Sequence, residues 1–208
     1  TVETLKIIQT ITLFLIMNLN SNYWNSRYMN NDSPWDAGLI TTPLKEYIDQ
    51  LINKDLKILI PGAGNGHEFD YLVANGFKNV FVVDIASAPL KKIRAKHPEL
   101  THQVLEEDFF EHSDQYDLIL EQTFFCALDP GLRKNYAKKM HELLKPSGKL
   151  SGLLFQFPLT EAGPPFGGSI EEYKELFAQY FLFKTFETAN NSIKPRLGRE
   201  LFIIFEKK

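Results

Sequence analysis

From about residue 42 onward, short apolar runs alternate with stretches in which apolar residues recur every three or four positions. The short runs resemble buried strands, whereas the spaced pattern is typical of amphipathic helices. Such alternation indicates βα units that build a mostly parallel sheet flanked by helices. Seven strands are predicted, over residues 56–61, 79–85, 102–106, 116–121, 149–157, 181–187 and 201–206, the last two pairing as a hairpin-like edge.

Capping and breaking residues delimit the predicted helices. Thr42 caps the first of them and Pro43 occupies its first turn, where proline is favoured. This helix precedes the first strand. Four more helices are expected: one after the first strand that ends at 75–76, one over 88–97, one that begins at 130 with an apolar stripe reaching Leu144 and a stop at 145–148, and one capped by Ser169.

Residues 7–17 form a separate apolar run, IIQTITLFLIM, ahead of these elements. The run is shorter than the roughly 18 apolar residues that a membrane span requires. No small-residue cleavage site follows it, which disfavours a secretory signal peptide. Two interpretations stay open: a helix or strand that packs on the domain, or an upstream extension with Met17 as the original start.

Composition narrows the class of protein further. A chain of 208 residues with 44% hydrophobic and 24% charged residues matches one globular domain, residues 1–208. A net charge of -3 provides no field to attract nucleic acid. One cysteine cannot form an internal disulfide, and the five histidines lack metal-ligand spacing. We expect a cytoplasmic monomer or weak homodimer that binds a small-molecule substrate, without metal, membrane or nucleic acid.

The turn after the first strand carries the strongest chemical signal. Residues 62–66 read GAGNG, and glycines at the start of a helix let backbone N–H groups approach a ligand closely. Asp84 ends the second strand, where a carboxylate can accept both hydroxyls of a ribose. Together they favour a nucleotide or nucleoside cofactor. His67 stands where a dinucleotide fingerprint has its third glycine, which argues against NAD.

Two further strand ends add to this picture. Asp108 follows the third strand and could accept a hydrogen bond from an adenine amino group, while Phe109 packs on the ring. The sequence Glu121-Gln122-Thr123-Phe124 ends the fourth strand, at the sheet edge where open α/β folds bind ligands. Placed in this order, the four features fit an S-adenosylmethionine-dependent methyltransferase better than a dehydrogenase.

Several longer stretches also make the chain resemble the thiopurine S-methyltransferase superfamily, most closely its halide and thiol methyltransferase branch. The resemblance covers about residues 23–170. It is carried by WNSRY at 24–28, PWDAG at 34–38, IPGAG at 60–64, FFCALDP at 124–130, LLKP at 143–146 and GPPF at 163–166.

The resemblance implies a class I methyltransferase fold, Rossmann-like, in which residues 1–42 form an extension and active-site cap and residues 43–208 form the core. Gln122 departs from relatives that often carry Tyr or Arg there, and Tyr28 stands where the plant-like branch has Trp. Family positions that contact the cofactor correspond here to Trp24, Tyr28, Trp35, Gly62, Ala63, Gly64, Asp84, Ile85, Asp108, Phe109 and Gln122. An apolar substrate pocket is predicted at Trp35, Phe125, Phe155 and Phe166, with core packing as the alternative for the phenylalanines.

The resulting hypothesis is methyl transfer from S-adenosylmethionine, with S-adenosylhomocysteine as product, to a small soft nucleophile: a thiol, bisulfide or a halide. Such a nucleophile needs no general base, so alignment and removal of water supply the catalysis. Cys126 is interpreted as a buried packing residue and Arg133 as serving either structure or the rim of the cleft. Lys194, Arg196 and Arg199 are interpreted as a basic patch or a solvated loop. The alternatives are aromatic thiols such as thiopurines, a non-catalytic S-adenosylmethionine-binding protein, and an NAD-dependent oxidoreductase.

Overall fold

The computed structural model describes residues 19–161 and 163–208. The apolar run at 7–17, and with it both interpretations of that run, lies outside the described residues. The helices are α1 Ser21–Met29, α2 Thr42–Asp49, α3 His67–Ala74, α4 Ser87–Lys96, α5 Arg133–Leu143 and α6 Ile170–Phe177. The strands are β1 Lys57–Pro61, β2 Asn79–Asp84, β3 Val104–Glu106, β4 Tyr116–Gln122, β5 Leu144–Phe155, β6 Phe181–Thr188 and β7 Glu200–Lys207.

The seven strands form one sheet in the order β3-β2-β1-β4-β5-β7-β6. The first five strands run parallel, and β7 pairs antiparallel with both β5 and β6. The predicted sheet of seven mostly parallel strands and the pairing of the last two strands are therefore confirmed. Because β1 to β5 are parallel, their carboxyl ends meet at one edge of the sheet.

Side chains alternate between two cores, one on each face of the sheet. Leu59 of β1 and Ile119 of β4 belong to the core that α5 and α6 cover. Ile58 of β1 and Leu118 of β4 belong to the opposite core, which α2, α3 and α4 cover. The central strands are thus apolar on both faces, as continuous apolar runs predict for a parallel sheet.

The start of β5 differs from the sequence prediction. Leu144 does not extend the stripe of α5: it opens β5 and pairs with Tyr116. The predicted stop at 145–148 is an irregularity within the strand, since the pairing resumes at Leu118 with Lys149. Lys145 donates to both carboxylate oxygens of Asp117 at 2.9 Å, which holds this bulge on the sheet.

Other boundaries shift by a few residues. Thr41, rather than Thr42, is the cap residue of α2, and its hydroxyl donates to Gln122 instead of accepting a bond from the helix. A 3₁₀ turn over Pro98–Gln103 replaces the first part of the predicted third strand. Ser169 caps α6 as expected, accepting from the N–H of Glu172. No helix in the described part of the chain is long and apolar enough to cross a membrane.

Candidate active site

A cavity of about 1220 Å³ opens at the carboxyl edge of the parallel strands, between the sheet and the N-terminal segment. Its walls come from α1, from residues 34–39, from the turns after β1, β2, β3 and β4, and from the loops around residues 164 and 195. All eleven residues expected to contact the cofactor line this cavity: Trp24, Tyr28, Trp35, Gly62, Ala63, Gly64, Asp84, Ile85, Asp108, Phe109 and Gln122.

The glycine turn after β1 fits closely against its surroundings. Gly62 has a φ of 76°, and a Cβ atom built on it would lie 2.8 Å from Cδ2 of Phe124. Gly66, with a φ of 80°, leads into α3, and its Cβ would lie 2.8 Å from Cγ1 of Ile93. Larger residues at these two positions would both strain the backbone and push on side chains. Residues 62–65 of this turn line the cavity.

Asp84 ties the end of β2 to this turn. One carboxylate oxygen accepts from the N–H of Ala63 at 2.7 Å, and the other accepts from the N–H of Ala86 at 2.7 Å. Burial raises the pKa of the Asp84 carboxyl group above its ordinary value, although these backbone donors partly offset the effect. Because each carboxylate oxygen has a second acceptor position, Asp84 can still receive hydroxyl donors from the cavity.

Beyond β3, Asp108 and Phe109 form the next part of the wall. The Asp108 carboxylate accepts from the N–H of Phe110 at 2.8 Å, which fixes the turn. Phe109 is only 3% exposed and packs edge-on against Phe124, with ring centroids 5.1 Å apart. Phe109 thus belongs to the core that α5 and α6 cover and also lines the cavity.

The last two residues of β4 lie on opposite faces of the strand, one at the cavity and the other in the core. Gln122 lines the cavity, and its Oε1 atom accepts from the hydroxyl of Thr41 at 2.7 Å. Glu121 is fully buried among core residues and accepts from Phe124 and Phe125 N–H groups at 2.9 Å, and from the Tyr136 hydroxyl at 2.5 Å. Burial raises the pKa of Glu121 to about 7. The side-chain alternation of the strand predicts this opposite orientation.

Three aromatic residues of the N-terminal segment close the cavity from above. The Trp35 ring packs edge-to-face with Trp24 and Tyr28, with centroid separations of 5.6 and 5.7 Å. The Arg27 guanidinium lies over the Trp35 ring, 4.9 Å from its centroid. These contacts make residues 24–35 one aromatic cluster on the wall of the cavity, which we call the cap.

Two polar contacts that sequence reasoning did not assign fasten this cap. Asn25 Oδ1 accepts from the N–H of Ala88 at 2.8 Å and so caps α4, a helix that has no side-chain cap of its own. Asp36 bridges to the glycine turn: its carboxylate meets His67 Nε2 at 2.7 Å and also accepts from Asn65. Both residues lie in the stretches that carried the resemblance, which is the only signal that could have marked them.

The loop near the C-terminus also holds the cap. Arg196 is 8% exposed, lines the cavity, donates to the backbone oxygen of Trp35 and pairs with Glu200 at 3.4 Å. Its buried position argues against the solvated-loop interpretation for this residue. Of the two roles predicted for Arg133, these contacts favour the structural one, because Arg133 donates to Glu172 at 2.5 Å and to the Gly167 carbonyl at 2.6 Å.

The predicted substrate pocket is only partly brought together. Trp35 and Phe155 line the cavity, whereas Phe125 and Phe166 do not appear in its walls. Phe125 is 1% exposed, and its ring packs on Tyr136 at a centroid distance of 4.9 Å, so it belongs to the core. Phe166 is buried as well, and its N–H donates to the Cys126 carbonyl. The apolar side chains that do line this end are Phe124, Cys126, Leu128, Phe155, Pro164 and Pro165.

Cys126 is a buried small residue rather than a reactive thiol. Its side chain is 5% exposed, and burial raises the pKa of the thiol well above its ordinary value. A thiol that stays protonated is a poor nucleophile. The expectation that Cys126 packs rather than reacts is confirmed.

Comparison with known families and sequences gives a consistent result. The family model for thiopurine S-methyltransferase matches residues 19–206. Probable thiol methyltransferase 2 of Arabidopsis thaliana is 30% identical over 87% of this chain and 83% of its own length. Thiocyanate methyltransferase 1 of Brassica oleracea is 29% identical over 92% and 88%. A thiopurine S-methyltransferase of Vibrio parahaemolyticus is 24% identical over 77% and 83%.

Solved structures support the same fold. The 1,6-didemethyltoxoflavin-N1-methyltransferase of Burkholderia thailandensis, which holds S-adenosylhomocysteine, matches with a TM-score of 0.73 and 19% identity over 90% of this chain and 87% of that chain. The N-methyltransferase NodS of Bradyrhizobium japonicum, also with S-adenosylhomocysteine, matches with a TM-score of 0.66 and 16% identity over 90% and 98%. The expected class I architecture is thereby confirmed.

Proposed function

The chain belongs to the thiopurine S-methyltransferase family, and from that premise we propose that it methylates a small soft nucleophile: a thiol, bisulfide or a halide. It is an S-adenosylmethionine-dependent methyltransferase, which sets aside the NAD-dependent alternative. When bound, the cofactor supplies an electrophilic methyl group on a positively charged sulfur.

The cavity has the features that such a cofactor requires. Gly62 lets Phe124 pack closely against the glycine turn, whereas a Cβ atom built on Gly64 would meet no heavy atom within 4 Å, so this part of the turn borders open space. Asp84 retains acceptor positions for ribose hydroxyls, and Asp108 lies one strand further along the edge, where an adenine amino group would need an acceptor. The residues present therefore fit the cofactor, with Trp24, Tyr28, Trp35, Gly62, Ala63, Gly64, Asp84, Ile85, Asp108, Phe109 and Gln122 proposed as its contacts.

The aromatic cap has a direct electrostatic role in this proposal. Faces of Trp and Tyr rings attract cations by about 0.5–2 kcal/mol, more when water is excluded. Trp24, Tyr28 and Trp35 together place three such rings on the wall facing the glycine turn. They would hold a positively charged sulfur and keep water from it.

The observation that carries the choice of acceptor is the apolar end of the cavity. Phe124, Leu128, Phe155 and the two prolines at 164 and 165 line it. Among the described residues of the cavity wall, His67 is the one histidine, and its ring is held by Asp36. A thiolate or halide needs no proton acceptor, and apolar walls strip water from an anion, which raises its reactivity. The similarity to plant thiol and thiocyanate methyltransferases supports the same choice.

Aromatic thiols are the second candidate, because bacterial thiopurine S-methyltransferases are also similar over most of the chain. The cavity volume of about 1220 Å³ gives this candidate a structural basis. Pockets for drug-sized ligands commonly measure about 300–1,000 Å³. Size alone therefore admits an acceptor larger than a halide.

One experiment separates these candidates. Purified protein is incubated with S-adenosylmethionine and iodide, sulfide, thiocyanate or a thiopurine, and the methylated products and S-adenosylhomocysteine are measured by mass spectrometry. We expect methyl iodide, methanethiol or methyl thiocyanate, and no product with Asp84→Ala. Methylation of the thiopurine alone would overturn the small-nucleophile proposal. Cofactor binding without any product would favour a binding protein.

The proposal also covers the compartment, the oligomeric state and the binding partners of the enzyme. We place it in the cytoplasm, as a monomer or weak homodimer that works on a small molecule without nucleic acid or membrane. The net charge of -3 and the single cysteine support this setting. We also propose that residues 1–42 form the extension and cap and residues 43–208 the core of one domain, which the cap contacts of Asn25 and Asp36 support.

A further inference from the structure

Arg196 contacts both residues of the predicted substrate pocket that line the cavity. One of its terminal nitrogens, Nη2, donates to the backbone oxygen of Trp35, and its guanidinium carbon lies 5.8 Å from the centroid of the Phe155 ring. Trp35 belongs to the cap, whereas Phe155 ends β5 at the apolar end of the cavity. Arg196 is buried and lines the cavity itself. A single guanidinium therefore joins the cap to the wall of the proposed acceptor site.

Glu200 fixes the position of this guanidinium relative to the sheet. The residue is 2% exposed, and its carboxylate pairs with Nη1 of Arg196 at 3.4 Å. Glu200 begins β7, where it lies directly opposite Phe155 in the antiparallel pairing of β5 with β7. The N–H of Arg196 also donates to the Ile193 carbonyl at 2.8 Å, which holds the loop before β7. Arg196 and Glu200 therefore couple the position of Trp35 to that of Phe155.

The relative position of these two walls matters most for a small acceptor. A halide or bisulfide offers little surface of its own, so only closely placed walls can hold it in line with the bond that breaks. An aromatic thiol fills a wider space with its ring and gains packing contacts there. Loosening the link between Trp35 and Phe155 should therefore affect the two classes of acceptor differently.

We propose that Arg196 determines specificity for the methyl acceptor: it holds Trp35 in place against the Phe155 end of the cavity, and so favours a halide or bisulfide over an aromatic thiol. The inference rests on the proposed function, since it assumes that methyl transfer takes place in this cavity. Arg196 acts through Trp35 and Phe155, which makes it a positioning residue rather than a catalytic one. Its loss should change the preference between acceptors, and not merely the overall rate.

The test measures kcat/KM for iodide and for thiophenol, each with S-adenosylmethionine. Arg196→Met removes both charged contacts but keeps a long unbranched side chain. We expect kcat/KM for iodide to fall by about tenfold, as for the loss of a charged hydrogen bond, and kcat/KM for thiophenol to change by less than about threefold. Arg196→Lys keeps the cation and should recover part of the iodide preference. The control Lys194→Met, an exposed cation in the same 3₁₀ turn, should keep the wild-type ratio of the two constants.

The outcomes separate this inference from the function on which it rests. If Arg196→Met lowers both constants by the same factor, Arg196 supports only the fold and the inference is wrong. If Arg196→Met does not fold, because Glu200 is left buried without its cation, the double variant with Glu200→Gln replaces it, and an unchanged ratio there overturns the inference. A wild type that methylates thiophenol but not iodide also overturns it. If the wild type forms no product from either acceptor, the proposed function itself fails.

Discussion

Replacing Glu121 with Gln should make the protein more stable at neutral pH, although it removes a group that accepts three hydrogen bonds. Glu121 is completely buried at the end of β4, and burial raises its pKa from 4.5 to about 7. The native state therefore binds this proton more tightly than the unfolded chain does. Stability falls as pH rises from about 4.5 to about 7, and is flat above that range as far as this group is concerned.

The size of the effect follows from the pKa. Each tenfold change in proton affinity corresponds to about 1.4 kcal/mol, so the ionised form of Glu121 costs the native state about 3 kcal/mol. Gln has the shape of the protonated acid. Its carbonyl oxygen can still accept from the N–H groups of Phe124 and Phe125, and its amide can donate to the Tyr136 hydroxyl, which then acts as acceptor.

Urea unfolding of wild type and Glu121→Gln at several pH values measures this difference directly. Near pH 4 the two free energies of unfolding should agree closely, and near pH 8 the variant should exceed the wild type by about 3 kcal/mol. Glu111→Gln, at an exposed position, is the control and should follow the wild type throughout. A difference between Glu121→Gln and wild type that stays constant over pH would refute the reasoning.

Three further changes test other contacts. Gly62→Ala should lower stability by about 1–3 kcal/mol in urea unfolding, because it strains a positive φ and meets the Phe124 ring. Asn25→Ala removes the acceptor for the N–H of Ala88 at the start of α4, and should cost about 1 kcal/mol, seen as a melting temperature lower by a few degrees. Asp36→Ala detaches the cap from the glycine turn, and calorimetry should show about tenfold weaker binding of S-adenosylhomocysteine with little loss of stability.

The fold and the cavity were predictable because their signals are local. Apolar runs gave the strands, and parallel strands bring their carboxyl ends together whatever lies between them in the chain. This rule predicts Asp84 and Gln122 at one edge of the sheet, and both line the cavity.

What could not be predicted depends on distances through space. Phe125 and Phe155 look alike in sequence, yet one is in the core and the other is at the cavity wall. An apolar pattern predicts that a side chain is buried, but it does not identify the residues that bury it. The contact of Asn25 with α4 spans 63 residues and that of Asp36 with His67 spans 31. Contacts between residues so far apart in sequence produce no periodic pattern from which they could be predicted.

Glu121 shows how a residue behind the wall can set the geometry of the site. The turn after β4 passes through Thr123 with a φ of 59°, so the next two N–H groups point away from the strand and need a buried acceptor. That acceptor positions Phe124, whose ring closes on Gly62. Removing it with Glu121→Leu would leave both N–H groups unpaired, at about 1–3 kcal/mol each. The structure thus requires an acceptor at position 121 but gives no stabilising role to its charge.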